Sequence, residues 1–499
     1  MPDVLPATMI RRATGLSQMK SFLQVMKFGG TSVGDASCIA RVIEIVAKSA
    51  RQNPVVVVVS AMSGVTNRLI EAATCSEAGD RDRASALLQG LGEQHALALE
   101  ALIHDSETRK RLAPRIEENL RLAHRLCEGT ALIHELTPRT LDAISSLGER
   151  LSAPLVAGAL SEQGVHSEAI EATELVVTDS YHGAAEPLMD LTQQRSEARI
   201  RPLLQKGIVA VVTGFIGATP DGVLTTLGRG GSDYSATILG GALGADEVII
   251  WTDVNGVLSA DPRLVPEART IPEISYREAA ELAYFGAKVL HPKTLRAVMQ
   301  AGIPVWIRNT FEPENPGTKI TPQGRSSSGG VKALTAISDV SLIAVGGPAI
   351  VGLPDVVGRT FSTTASVRAN VLLISQSSSQ NDICFIISSS DAKRTVEALR
   401  QQFAQDLAHQ TVEHITLDPN IAIVAVVGEN MRGTVGMAGR TFSVLGRENV
   451  NIIAIAQGSS ESNISFVVAS NDMKKALLAV HREFALDMRN AHETSSVSR

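Results

Sequence analysis

The chain has 499 residues, 44% apolar and 20% charged, enough to bury several cores and build two or three globular domains. Its formal charge of −6, spread without long acidic or basic runs, leaves no electrostatic footprint for nucleic acid or an anionic membrane, so small polar metabolites are the expected partners. The longest apolar run, the five valines 55–59, is far short of a membrane span, and Cys38, Cys75, Cys127 and Cys384 lie too far apart for a disulfide framework or a zinc site. A soluble protein of the reducing cytoplasm is expected.

Residues 1–23 carry Arg11, Arg12 and Lys20 against a single acid, Asp3, without an apolar secretory core. They read as a disordered extension or a mis-assigned start rather than a targeting peptide. Gln24 to Phe28 predicts a short strand ending in Gly29-Gly30, Ala36 to Ser49 has helical periodicity, and Val55 to Ser60 is a β-branched strand. Such a βαβ unit favours a parallel sheet. Residues 82–162 read mostly as helix, with Pro114, Pro138 and Pro154 as expected breakpoints or first-turn residues. Strands are expected again at Ile208 to Thr213, Glu247 to Thr252 and Ile303 to Arg308, completing a first α/β domain over 24–322. Residues 323–332, rich in glycine and serine, read as a linker.

Beyond the linker lies an internal repeat. Gly358-Arg359-Thr360-Phe361 recurs as Gly439-Arg440-Thr441-Phe442, an offset of 81 (439 − 358) that also aligns Asn370 with Asn451, Gln376 with Gln457 and Phe385 with Phe466. Each copy reads strand, glycine turn, helix, strand, strand, helix, giving two small α+β units over 333–415 and 416–488 whose boundaries can interleave, with 489–499 as a tail. Paired units create an interface where a ligand can sit, although duplication can also be purely structural.

Several turns carry chemistry. Lys27-Phe28-Gly29-Gly30-Thr31-Ser32 stands between a strand and a helix, where glycine amides and a helix N-terminus attract phosphate. Such turns also arise for conformational reasons alone, and this one is not a Walker A loop. The stretch Thr225 to Ala236 sets Arg229, Ser232 and Asp233 among Gly228, Gly230 and Gly231 at the start of an Ala/Leu-rich helix. Arg229 there suits a bidentate pair with a substrate carboxylate. Thr252 and Asp253 close a strand before an Asn-Gly turn that is itself an adequate structural explanation, and Asp261-Pro262-Arg263 follows. Phe285 to Pro292 adds Lys288 near a helix terminus, while His291 before a proline reads as a packed residue.

In their order these motifs resemble those of the aspartokinases. The matching stretches are Lys27 to Val33, Ser60 to Asn67, Ser146 to Arg150, Gly214 to Gly217, Thr226 to Asp233, Trp251 to Gly256, Asp261 to Arg263 and Phe285 to Pro292, and the repeat is similar to the tandem ACT domains of that family. The resemblance implies an α/β amino-acid-kinase fold, a parallel-rich sheet between helices, followed by two α+β ACT domains. It implies transfer of the γ-phosphate of ATP, with Mg2+, to the β-carboxylate of L-aspartate, the first step toward lysine, threonine and methionine. By matching positions, Lys27 and Asp233 would be catalytic; Lys27, Phe28, Gly29, Gly30, Thr252, Asp253, Arg263, Lys288 and Val289 would bind ATP. Thr66, Glu149, Phe215, Arg229, Gly231, Ser232 and Asp233 would frame aspartate, with no metal held by the protein itself.

An aspartate side chain is already ionised at neutral pH, so no general base is required. Leu258 departs from the tyrosine that many relatives carry before Asp-Pro-Arg, and it can cover an adenine face equally well. No stretch after the repeat has room for a homoserine dehydrogenase domain, so a monofunctional enzyme is expected. Gln376 and Gln457, in equivalent turns, are the expected effector contacts, with threonine favoured as feedback inhibitor and lysine the alternative. Association into a homo-oligomer is expected as well. Two other readings stand beside this one: a non-catalytic ACT-type amino-acid sensor, against which Lys27, Arg229 and Asp233 weigh, and a kinase of the same fold acting on another amino acid.

Overall fold

The computed structural model describes residues 22–286, 290–325, 330–347, 354–376, 382–429, 431, 433–456 and 462–486. In its N-terminal part the chain forms β1 (Gln24–Phe28), β2 (Val55–Val59), β3 (Ser167–Ile170) and β4 (Val209–Thr213), then a small hairpin of β5 (Ile216–Ala218) and β6 (Leu224–Thr226). β7 (Glu247–Thr252), β8 (Glu273–Ser275), β9 (Val305–Asn309) and β10 (Thr318–Thr321) follow. Eight of these strands make one sheet in the order β3-β4-β2-β1-β7-β9-β10-β8. Every neighbour from β3 to β9 is parallel, and only β9 and β10 run antiparallel.

β1, β2 and β4 are buried at every position, which explains the unalternating valine run: a sheet covered on both faces needs apolar side chains on both. The strand order departs in both directions from β1, to β2 on one side and β7 on the other. Such a switch point opens a crevice beyond the carboxyl ends of the strands, where open α/β sheets bind their ligands.

The expected helical stretch forms Arg81–Leu102, Ser106–Ile133, Pro138–Ser145 and Leu147–Glu162. Pro138 opens its helix behind the capping side chain of Thr137, as expected. Pro114 and Pro154, by contrast, break nothing and lie inside helices. A mid-helix proline costs about 3 kcal/mol. Pro154 lies in a run buried from Leu151 to Leu160, and Leu112 and Ile116 anchor the helix around Pro114, so packing outweighs propensity at both.

The C-terminal part forms β11 (Val331–Gly346), β12 (Val371–Gln376), β13 (Asp382–Ser388), β14 (His414–Gly428), β15 (Ala454–Ala456) and β16 (Asn463–Ala469). They make one antiparallel sheet, β12-β13-β11-β14-β16-β15. The repeat is visible in three dimensions: Phe361 meets Phe385 edge-on at 5.6 Å, and Phe442 meets Phe466 in the same way at 6.0 Å.

β11 begins at Val331, inside the stretch that reads as linker. Its first half, Val331 to Ile337, pairs with Gly428 to Ile423 of β14, and its second half, Val340 to Gly346, pairs with β13. Val331 and Leu334 therefore pack into the core of the second copy, Ile343 and Val345 into that of the first. The copies interleave, the second taking a strand from ahead of the first. Among the described residues no helix is long and apolar enough to cross a membrane.

Candidate active site

Lys27 is the penultimate residue of β1, and its ammonium lies 2.6 Å from a carboxylate oxygen of Asp233. The next residue, Phe28, faces the opposite way, fully buried and stacked on Trp251 at 6.0 Å. A Cβ on Gly29 would stand 3.3 Å from the Lys27 ammonium, and one on Gly30 would stand 3.3 Å from the carbonyl oxygen of Ala61. Glycine at 29 keeps the space around the cation open, and glycine at 30 lets the turn lie against Ala61.

Asp233 lies in the first turn of the helix Gly231–Leu243, where the helix dipole favours a negative charge. Left-handed glycines, Gly228 at φ 79° and Gly230 at φ 71°, flank the exposed Arg229. Phe215 holds a left-handed φ of 69°, and its amide donates to the Ser235 hydroxyl at 2.9 Å. A non-glycine residue in that region costs about 1–3 kcal/mol, a cost often found where a site is being shaped. Its ring is so close to Gly231 that a Cβ there would come within 2.7 Å.

Glu149 is 3% exposed near the start of Leu147–Glu162. Gly148 lets that helix end dock on Ala61, since a Cβ there would lie 2.6 Å from the alanine methyl. One Glu149 oxygen accepts the Ala61 amide at 3.1 Å; the other, Oε2, is buried without a hydrogen-bond partner. Burial pushes its carboxyl up to about 8, against the opposing pull of the Ala61 amide and the Lys27 charge.

These elements bound an open cleft of about 780 Å³. It is lined by Lys27, Gly29, Gly30, Thr66, Glu149, Phe215, Arg229, Gly231, Ser232, Asp233 and Thr252, so most of the expected site residues meet. Phe28, Asp253 and Arg263 do not line it. Phe28 is core, Asp253 is exposed beside Thr252, and Arg263 is exposed with its guanidinium on Asp261 at 3.0 and 3.1 Å. Lys288, Val289 and Gln457 lie outside the described residues, as does the side chain of Gln376.

The cleft also contains residues that sequence reasoning missed, among them Asp142, Ser145 and Gly183. One signal was available for Asp142: it sits between Leu141 and Ile144 in a short amphipathic helix, an acid where the buried face continues. Among the described residues no group of three or more His, Cys, Asp or Glu side chains is placed to hold a metal ion.

A family model described as the amino acid kinase family matches residues 23–309, and an ACT domain model matches 343–403 and 424–484. Sheet, cleft and repeat thus define an amino-acid kinase with a duplicated ACT region. Bifunctional aspartokinase/homoserine dehydrogenase 1, chloroplastic, of Arabidopsis thaliana is 37% identical over 468 residues, 93% of this chain and 51% of that one. Aspartokinase 1, chloroplastic, of the same plant is 30% identical over 471 residues, 93% of this chain and 80% of the relative. The crystal structure of E. coli aspartokinase III in complex with aspartate and ADP is similar with a TM-score of 0.76 and 31% identity, over 92% of this chain and 99% of that one. The chain belongs to the aspartokinase family, and it spans about half the length of the bifunctional relatives it matches.

Proposed function

We propose that the protein is an aspartate kinase, which transfers the γ-phosphoryl group of ATP to the β-carboxylate of L-aspartate and forms 4-phospho-L-aspartate. The observation that carries this reading is the convergence of Lys27, Glu149, Arg229 and Asp233, from three distant stretches of chain, on one cleft. Lys27 neutralises charge on the transferring phosphoryl group beside the Gly29 and Gly30 amides, and Asp233 fixes the ammonium. Thr252, Asp253, Arg263, Lys288 and Val289 serve the remainder of ATP. Arg229 clamps the α-carboxylate of aspartate, the free oxygen of Glu149 receives its ammonium, and Thr66, Phe215, Gly231 and Ser232 shape the pocket.

The nucleophile arrives ionised, so the rate rests on positioning and charge neutralisation. Among the described residues the cleft is lined by three carboxylates; with Asp142 engaged by the protein and Glu149 given to the acceptor's ammonium, Asp233 alone is left beside Lys27, so Mg2+ fits as a companion of the ATP phosphates rather than as a resident ion.

An ATP-dependent hydroxamate assay across carboxylic amino acids tests the reading, and activity confined to glutamate, or absent with every acid, overturns it. Glu149 gives a second readout. Burial holds its proton up to about pH 8, and an arriving ammonium favours the ionised form, so aspartate binding near pH 7 releases a proton. Calorimetry in buffers of different ionisation enthalpy detects that release, and Glu149→Gln removes it.

The duplicated ACT region supports feedback inhibition by an amino acid. Threonine is favoured because the equivalent turns beginning at Gln376 and Gln457 offer amides and lack an acid placed for a lysine ammonium; lysine is the alternative. Paired ACT units fit a homo-oligomer. Steady-state assays with each amino acid, on the wild type and on Gln376→Ala and Gln457→Ala, decide the effector: absence of threonine inhibition, or unaltered inhibition in both variants, sinks the assignment.

A further inference from the structure

Asp142 lies in the helix Pro138–Ser145 and is 2% exposed. Its Oδ1 accepts the Thr226 hydroxyl at 2.6 Å. Its Oδ2 accepts the amides of Thr226 at 3.2 Å and Gly183 at 3.1 Å, and the Nδ1 of His182 lies 2.8 Å from the same oxygen. One buried carboxylate thus joins three stretches of chain: its own helix, the loop around 182–183 and the end of β6. Asp142, Gly183, Thr226 and Arg229 all line the cleft.

The two joined stretches also touch each other directly. The Ala185 amide donates to the Thr226 carbonyl at 2.9 Å, and a Cβ on Gly228 would come within 2.8 Å of the Gly183 carbonyl oxygen. The loop is folded from within by Asp179, whose Oδ1 accepts the amides of Tyr181 and Glu186, each at 3.1 Å. Arg229 follows Thr226 by three residues, on a turn whose flanking glycines Gly228 and Gly230 give the backbone wide freedom. Something outside the turn must therefore set where the guanidinium stands.

We propose that Asp142 is a positioning residue for the acceptor amino acid: it clamps the Thr226 end of the turn to the 182–183 loop and so holds Arg229 where the acceptor's α-carboxylate binds. With both oxygens engaged by the protein, Asp142 is not itself a ligand of the substrate. The chemistry requires a carboxylate, because two amides, a hydroxyl and an imidazole converge on it and an ionised acid accepts at every lone pair. An asparagine of the same shape either aims its NH2 group at the two amides or turns it to the Thr226 hydroxyl, and in both cases gives up the charge on which these donors converge. The inference rests on the role given to Arg229 above.

The test combines steady-state kinetics of the full chain with backbone amide exchange. In Asp142→Asn the KM for aspartate rises about tenfold or more while the KM for ATP stays within about twofold. Exchange at Gly183 and Thr226 accelerates, and the parallel sheet stays protected. Because Asp142 acts through Arg229, Asp142→Asn added to Arg229→Ala raises the aspartate KM no further than Arg229→Ala alone. Thr226→Val, which removes only the 2.6 Å hydroxyl contact, gives the same pattern in weaker form and serves if the asparagine variant fails to fold. Equal rises in both KM values, additive losses in the double variant, or an unchanged aspartate KM overturn the proposal. A wild type inactive on aspartate defeats the functional reading instead; the clamp is then judged by exchange, and unaltered protection at Gly183 and Thr226 overturns it.

Discussion

The two copies of the 81-residue repeat share their elements and their edge-on phenylalanine pair, yet they are anchored to the kinase domain differently. Beneath its helices the first copy closes its core with its own residues, including Ile343, Val356, Phe385, Leu399 and Phe403. The corresponding core of the second copy also takes in Ala260 and Val265, from the loop that follows β7 and bears Arg263. Beside them His481 Nε2 lies 3.0 Å from the Ser259 hydroxyl in a buried contact, and the Leu334 amide donates to the Ser259 carbonyl at 2.7 Å. On the opposite face of the sheet, Leu373 and Ile386 of the first copy and Ile423, Ala425 and Val467 of the second join the same core as the helix Tyr276–Tyr284, whose Tyr284 hydroxyl donates to the Leu372 carbonyl at 3.1 Å and whose Glu281 accepts from the Asn463 amide group. Among the described residues the second copy is therefore gripped on two faces and the first on one. Duplication has left one unit as part of the scaffold behind the loop that bears Arg263, and its twin with fewer contacts to the kinase domain among the described residues.

The strongest way to break this attachment is Lys332→Met. Lys332, 4% exposed, pairs with Glu278 at 2.8 Å, and Glu278 in turn closes the capping box of Tyr276–Tyr284. Stranding that carboxylate should cost about 3–5 kcal/mol in denaturant unfolding. A loss below about 1 kcal/mol would mean that water or relaxation satisfies it. His481→Ala comes next, at about 1–3 kcal/mol for a severed buried polar contact, together with a raised KM for ATP if the Arg263 loop serves the nucleotide as proposed, because Ser259 sits at its base. An unchanged KM would leave the contact purely structural.

Phe385→Leu and Phe466→Leu sharpen the contrast, since both rings are fully buried at equivalent positions. Each should cost about 1–2 kcal/mol, and only the second should weaken ATP binding. Equal effects on ATP would erase the distinction between the copies. The smallest effects belong to the arginines on the outer faces. Arg359 pairs with Asp406 at 2.8 Å and lies over Phe403, and Arg440 pairs with Glu483 at 3.0 Å and lies over Phe484. Replacing either with alanine should cost about 1 kcal/mol or less, by thermal denaturation, and leave both substrate constants unchanged.

Much of this architecture was legible because it is written in local chemistry. The valine run had to be a doubly covered strand, the glycines at 29, 30, 228 and 230 marked turns that a side chain would obstruct, and the offset of 81 named every equivalent pair in the repeat. What stayed hidden depends on distant partners. Pro114 and Pro154 read as breaks because propensity is local while the packing that overrides it is not. Asp142 carries no motif, since its four contacts come from residues 40 to 84 positions away. Val331 and Leu334 read as the end of a linker and the start of the first unit, because their partners in the second copy lie almost a hundred residues on.

That last separation bears on how the protein can be made and cut. When Val331 leaves the ribosome its pairing partner Gly428 is still 97 residues from synthesis (428 − 331), so half of β11 waits as an open edge while the first copy closes around the other half. A chain severed between the copies strands that edge permanently and invites strand addition from a neighbour. An isolated second copy needs residues 331–337 rejoined behind its last helix, a circular permutation of the natural order.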